Sequence, residues 1–233
     1  MKTIGLIGGM SWESSAEYYR LLNELVRERL GGLHSARCLL HSVDFAEIEE
    51  FQRAGEWERA GDVLAGAAKG LEAAGADLVL ICTNTMHKVA DQVAAAVSVP
   101  LLHLGDATAG AVRARGIRRV GLLGTAFTME QDFYRDRLRS HGLEVVIPGA
   151  EDRALVHRVI YDELCLGVVR DESRTAYRDV IARLVADGAE GVVLGCTEIE
   201  LLIRQEHSPV PVFFPTTRLH AEAAVTAALA DTP

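Results

Sequence analysis

No run in this 233-residue chain is apolar for long enough to span a bilayer, so a membrane partner is not expected. The start, MKTIGLIGGMS, has too short an apolar run for a secretion signal and reads as a first strand. Cysteines are few: Cys38, Cys82, Cys165 and Cys196 are widely spaced and match neither a CxxC pair nor a metal knuckle. Free thiols in a reducing cytoplasm are the expectation. Positive charge is also scarce, with 24 Lys and Arg against 33 Asp and Glu and a formal net charge of −9. The arginines are scattered among acids, which leaves no basic field for phosphates and excludes nucleic acid as an expected partner. GLIGGMS lacks the full G-x-G-x-x-G spacing, and no acidic residue closing a first βαβ unit stands out, which argues against a dinucleotide site. His87, His103 and His220 fall on separate elements without ligand spacing, so no metal is expected either.

What is present is an ordered globular composition, 49% hydrophobic and 24% charged, without a polar low-complexity tract. Short apolar runs alternate with amphipathic stretches: IGLIG at residues 4–8, SSAEYYRLLNELVRERL, CLLHSVD, EWERAGDVLAGAAKGLEAAG, then DLVLIC. In the first helical stretch Tyr18, Leu21, Leu22, Leu25 and Val26 share one face, with Ser14 or Ser15 placed to cap it. Nearly continuous apolar strands between such helices predict parallel sheets covered on both faces.

The pattern occurs twice. IGLIGGMS matches VGLLGTAF, pairing Gly5 with Gly121 and Gly8 with Gly124, 116 residues on. ADLVLICTNT matches AEGVVLGCTE, pairing Leu80 with Val193 and Thr83 with Cys196, 113 residues on. SVPLLHL matches PVPVFFP, pairing Pro100 with Pro211. The expected fold is therefore α/β, two pseudosymmetric parallel-sheet domains from an internal duplication. The first would comprise residues 1–104 with a returning segment, 209–233, and the second residues 105–208.

In parallel α/β sheets ligands sit beyond the carboxyl ends of strands. Four such ends carry small hydroxyl- or thiol-bearing residues: GGMS (8–11), CTNT (82–85), GTAFT (124–128) and GCTE (195–198). Two related halves facing one cleft would address a planar carbanion from both sides. Cys196 is the plausible base, its thiol brought toward neutrality by helix N-termini and nearby donors. Taken alone it reads equally as an ordinary buried cysteine; the repeat is what singles it out. Backbone N–H groups with Asn84, Thr85, Thr125 and Thr197 would stabilise the developing enolate charge. Cys82 lies one residue from Thr83 and so has the wrong strand parity; with Cys38 and Cys165 it is expected to be structural.

IGLIGGMSWESS, HSVDF, QRAGEW, CTNTMHK, LGTAFTMEQDFY and GCTEIELL resemble blocks of the cofactor-independent aspartate/glutamate racemases, in their broad-specificity amino-acid racemase branch. The resemblance covers nearly the whole chain. It implies a pseudosymmetric two-domain fold, a homodimer, a small amino-acid substrate, two-base proton transfer at Cα, and neither pyridoxal phosphate nor metal. It implies substrate contacts at Met10, Ser11, Gln52, Arg53, Asn84, Thr85, Thr125, Thr128, Thr197 and Glu198. Three positions depart from the family pattern. Thr83 stands where Cys is usual, Cys165 where many relatives carry Lys, and Pro215 where an Asp is common. Loss of that Lys leaves Arg53 to meet a distal carboxylate. A threonine hydroxyl is too weakly acidic to serve as a base at neutral pH, so the expected reaction is one-sided: Cys196 deprotonates L-glutamate or L-aspartate and Cα is reprotonated from the Thr83 side. Two other readings remain open from sequence, a single-thiol decarboxylase or isomerase of the same superfamily and a non-catalytic binder of acidic amino acids.

Overall fold

The computed structural model describes residues 1–196, 198–208, 210 and 213–230. In chain order the strands are β1 (Ile4–Gly8), β2 (Cys38–Ser42), β3 (Leu78–Ile81), β4 (Arg119–Leu123), β5 (Glu144–Val146), β6 (Gly191–Leu194) and β7 (Phe213–Pro215). The α-helices are α1 (Trp12–Leu30), α2 (Phe45–Ala54), α3 (Trp57–Ala73), α4 (Ala90–Ala95), α5 (Leu104–Ala114), α6 (Ala126–Glu130), α7 (Asp132–Ser140), α8 (Ala150–Asp162), α9 (Asp171–Ala186), α10 (Ile199–Leu202) and α11 (Thr216–Leu229). Short 3-10 turns cover Thr85–Val89, Leu164–Leu166 and Gln205–His207.

Two compact units result, Met1–Leu104 with Thr217–Pro233, and Gly105–Thr216. The first holds a parallel sheet in the order β2-β1-β3, extended by a single bridge from Val79 to Leu101. The second holds a parallel sheet in the order β5-β4-β6-β7. The central strands β1, β3 and β6 are buried along their whole length, as strands covered on both faces must be.

The register carries the duplication. Gly5 sits opposite Val79 and Gly121 opposite Val192, so the offsets of 116 and 113 found in the sequence recur as paired positions. The last ladder bond repeats too, Cys82 N–H to Ile7 O at 2.9 Å and Gly195 N–H to Leu123 O at 2.6 Å.

Two sequence expectations change. Residues 213–216 fall in the second unit rather than the first, because β7 pairs beside β6 in that unit's sheet. Only α11 returns, packing Ala221, Ala224, Val225 and Ala228 with Ile4, Leu6, Tyr18 and Leu22. Helix α1 starts at Trp12, and its cap is Ser11, whose extended backbone lets its Oγ accept the Ser14 N–H at 3.2 Å; neither Ser14 nor Ser15 caps it. The repeat partner proposed for Pro100, Pro211, lies outside the described residues.

Candidate active site

In the first unit the ends of β1 and β3 lie side by side, because the two strands pair. The chain leaves β1 through Gly9, at φ +93°, where a Cβ would stand 2.2 Å from Val43 O, so only glycine fits this turn. Gly9 N–H donates to Ser15 Oγ at 2.8 Å, and Ser14 Oγ donates to Cys82 O at 2.9 Å. The serines that do not cap α1 instead tie it to both strand ends.

At the β3 end parity separates the neighbours. Cys82 is buried among Ile4, Leu6 and Leu80, and burial pushes its thiol far above the usual range, whereas Thr83 is half-buried. Asn84 is buried and Thr85 half-buried at the start of the 3-10 turn. Gln52 is buried with its Nε2 3.1 Å from Met86 Sδ, and Met86 packs in one cluster with Met10. Met10, Ser11, Gln52, Thr83, Asn84 and Thr85 are thus gathered around one end of one sheet. Arg53 is not: its side chain is 71% exposed and its Nε stands 3.4 Å from Glu49 Oε1, one helical turn back.

In the second unit β4 and β6 pair in the same way. Thr125 caps α6 and shares a 3.3 Å contact with Thr128 Oγ1. Thr128 is completely buried, its methyl packed where Cβ atoms on Gly124 or Gly195 would each come to 3.1 Å. Its methyl packs the β4 exit at Gly124 against Gly195 at the end of β6. Ala126 N–H donates to His157 Nδ1 at 3.1 Å, so α8 also anchors this loop. Sequence reasoning missed His157, since α8 carries no spacing signal that links it to the loop.

Cys196, half-buried, donates its thiol proton to Glu198 Oε2 at 2.9 Å. Burial, then the carboxylate's negative charge and that hydrogen bond, raise the thiol well above its ordinary value. This corrects the expectation of a thiol tuned toward neutrality. Helix α10 is only four residues long, and a carboxylate stands at its start, so the helix offers little positive end. Cys38 is pushed up to about 11 by burial, while Cys165, expected to be structural, is exposed. Thr197 lies outside the described residues.

By the 113-residue offset, Cys196 and Glu198 occupy the positions of Thr83 and Thr85. One unit therefore presents a thiol with a carboxylate, the other two hydroxyls. Both ring nitrogens of His87 and of His220 are engaged in hydrogen bonds, and no group of three His, Cys, Asp or Glu suited to a metal occurs among the described residues. Among the same residues no helix is long and apolar enough to cross a membrane.

A duplicated parallel α/β chain with a thiol at one strand end and a hydroxyl at its repeat counterpart is the class these features define. Within it, the family model for Asp/Glu/Hydantoin racemase matches residues 7–224, and the chain belongs to that family. The crystal structure of a Yersinia pestis protein assigned to the Asp/Glu racemases is similar at 54% identity and TM-score 0.94, over 98% of this chain and 100% of that one. That of an aspartate racemase homologue from Pyrococcus horikoshii OT3 is similar at 38% identity and TM-score 0.87, over 98% and 99%. The broad specificity amino-acid racemase RacX of Bacillus subtilis (strain 168) is 23% identical over 153 residues, 64% of each chain.

Proposed function

We propose that the protein racemises L-glutamate or L-aspartate without a cofactor, with Cys196 as the base at Cα and the Thr83 side returning the proton. The observation that carries this is the contact of Cys196 with Glu198, at the repeat counterpart of Thr83 and Thr85. A thiol held protonated cannot abstract a proton until it gives its own away, and the bonded carboxylate is the acceptor at hand. Glu198 takes the thiol proton; the thiolate takes the Cα proton; the carbanion takes a proton from the Thr83 hydroxyl, which draws its replacement from water. Glu198 then releases its proton to solvent, so protons balance. Because the chain carries its own base, the reaction asks nothing of a metal or of pyridoxal phosphate.

Ser11, Asn84, Thr85 and Thr125, with Thr197, supply donors for the substrate carboxylate and enolate. Met10, Gln52 and Thr128 shape the surroundings from buried positions. Arg53 would have to release Glu49 to reach a distal carboxylate. The active form is proposed to be a homodimer.

Replacing Cys196 with Ser tests the base. Cα exchange in deuterium oxide is expected to fall by at least about 10²-fold, with stabilisation of the protein by L-glutamate retained. Exchange that persists in the variant assigns the base elsewhere.

A further inference from the structure

His87 carries no ligand spacing for a metal, yet both of its ring nitrogens are bonded close to Thr83. It lies in the 3-10 turn that follows β3, and its Nδ1 stands 2.8 Å from Thr83 O. A carbonyl only accepts, so Nδ1 carries the hydrogen. Its Nε2 receives the Leu104 N–H at 3.1 Å, and so is bare. One neutral tautomer alone satisfies both bonds. His220 repeats the logic at Leu102, two residues before Leu104: its Nε2 donates to Leu102 O at 2.8 Å, and its Nδ1 accepts from Tyr18 OH at 2.8 Å. One chain of bonds thus runs from α1 through His220 to Leu102, and a second from Leu104 through His87 to Thr83. Every member lies in the first unit.

We propose that His87 is a positioning residue: by bonding the Thr83 carbonyl and the Leu104 amide together it fixes the backbone of Thr83 and thereby where the Thr83 hydroxyl stands. The inference rests on the reading of Thr83 as the reprotonating side. Burial, with the His103 and His220 rings beside it, holds His87 well below the usual imidazole range, in keeping with the tautomer its bonds require. The repeat counterpart of His87 is Glu200, whose carboxylate lacks the imidazole's paired donor and acceptor nitrogens. Disturbing His87 should then uncouple the two halves of the reaction.

The test compares His87→Phe, His87→Asn and His87→Gln with the wild-type protein in deuterium oxide, starting from L-glutamate and from L-aspartate. The readout is D product formed per deuterium entering the recovered L substrate, with circular dichroism and thermal melting as the check on folding. His87→Phe keeps the ring and loses both bonds; its ratio is expected to fall about tenfold, since misplacing one reacting group carries a penalty of at least that order. KM for the L substrate should stay within a few-fold. Asn can place its amide where Nδ1 donated to Thr83 and should recover most of the ratio; Gln can only replace the bond to Leu104 and should not. If Phe does not fold, the Asn–Gln contrast decides. A ratio equal to wild type in the folded variants, or equal for Asn and Gln, overturns the inference alone. Absence of exchange in the wild-type protein overturns the reading of Cys196, and this inference with it.

Discussion

A thiol beside a carboxylate poses an electrostatic problem for Cys196. Glu198 is the obvious acceptor for the proton, yet its charge and its hydrogen bond both favour the protonated thiol. Two measurements on Glu198→Gln should therefore move in opposite directions. The pH at which Cys196 becomes reactive to iodoacetamide should fall, because the carboxylate that raised the thiol's pKa is gone. Racemisation should slow by about 10²-fold, because the proton acceptor is also gone. A rise in both rates would reduce Glu198 to an electrostatic burden. GCTE made Cys196 and Glu198 visible in the sequence, but only as a base and a substrate contact. Their bond to each other depends on side-chain direction in a four-residue loop, which spacing does not encode. The partner of Arg53 was equally hidden: a helical residue pairs with Glu49 one turn away, a contact that the choice of side-chain rotamer decides.

At the scale of elements, short polar turns at the ends of buried parallel strands hold the site, and glycine makes the sharpest of them possible. Ala at position 9 would put a Cβ into Val43 O at a φ that L residues avoid. Gly9→Ala is expected to destabilise by about 2 kcal/mol or more, seen as a lower urea midpoint at unchanged m. Unchanged stability would mean that the β1 exit relaxes more freely than its packing implies. The core strands were legible because apolar runs, parity and the internal repeat agree with one another, and the Thr83–Cys196 equivalence survives as register. Which unit residues 213–216 would join was not legible. A three-residue strand such as β7 gains its identity from pairing with β6, a long-range contact without a local signature. The capping of α1 failed for want of the same information: three serines compete, and tertiary bonds from Ser14 and Ser15 decide in favour of Ser11.

The whole molecule is a duplication whose copies have diverged at the chemistry, with Cys and Glu in one unit against two threonines in the other. An achiral solvent fixes the equilibrium between enantiomers at one to one, so divergence can change only rates and affinities. The account predicts a kinetic bias toward the L forms, because the strong base belongs to one unit. The most direct test is to incubate the protein separately with L-glutamate, D-glutamate, L-aspartate and D-aspartate in deuterium oxide, following loss of the Cα proton by NMR alongside enantiomer composition. Exchange with inversion from the L forms, and little turnover from the D forms, is the predicted result. Exchange that is equal or faster from the D forms, or absent from all four, would contradict it.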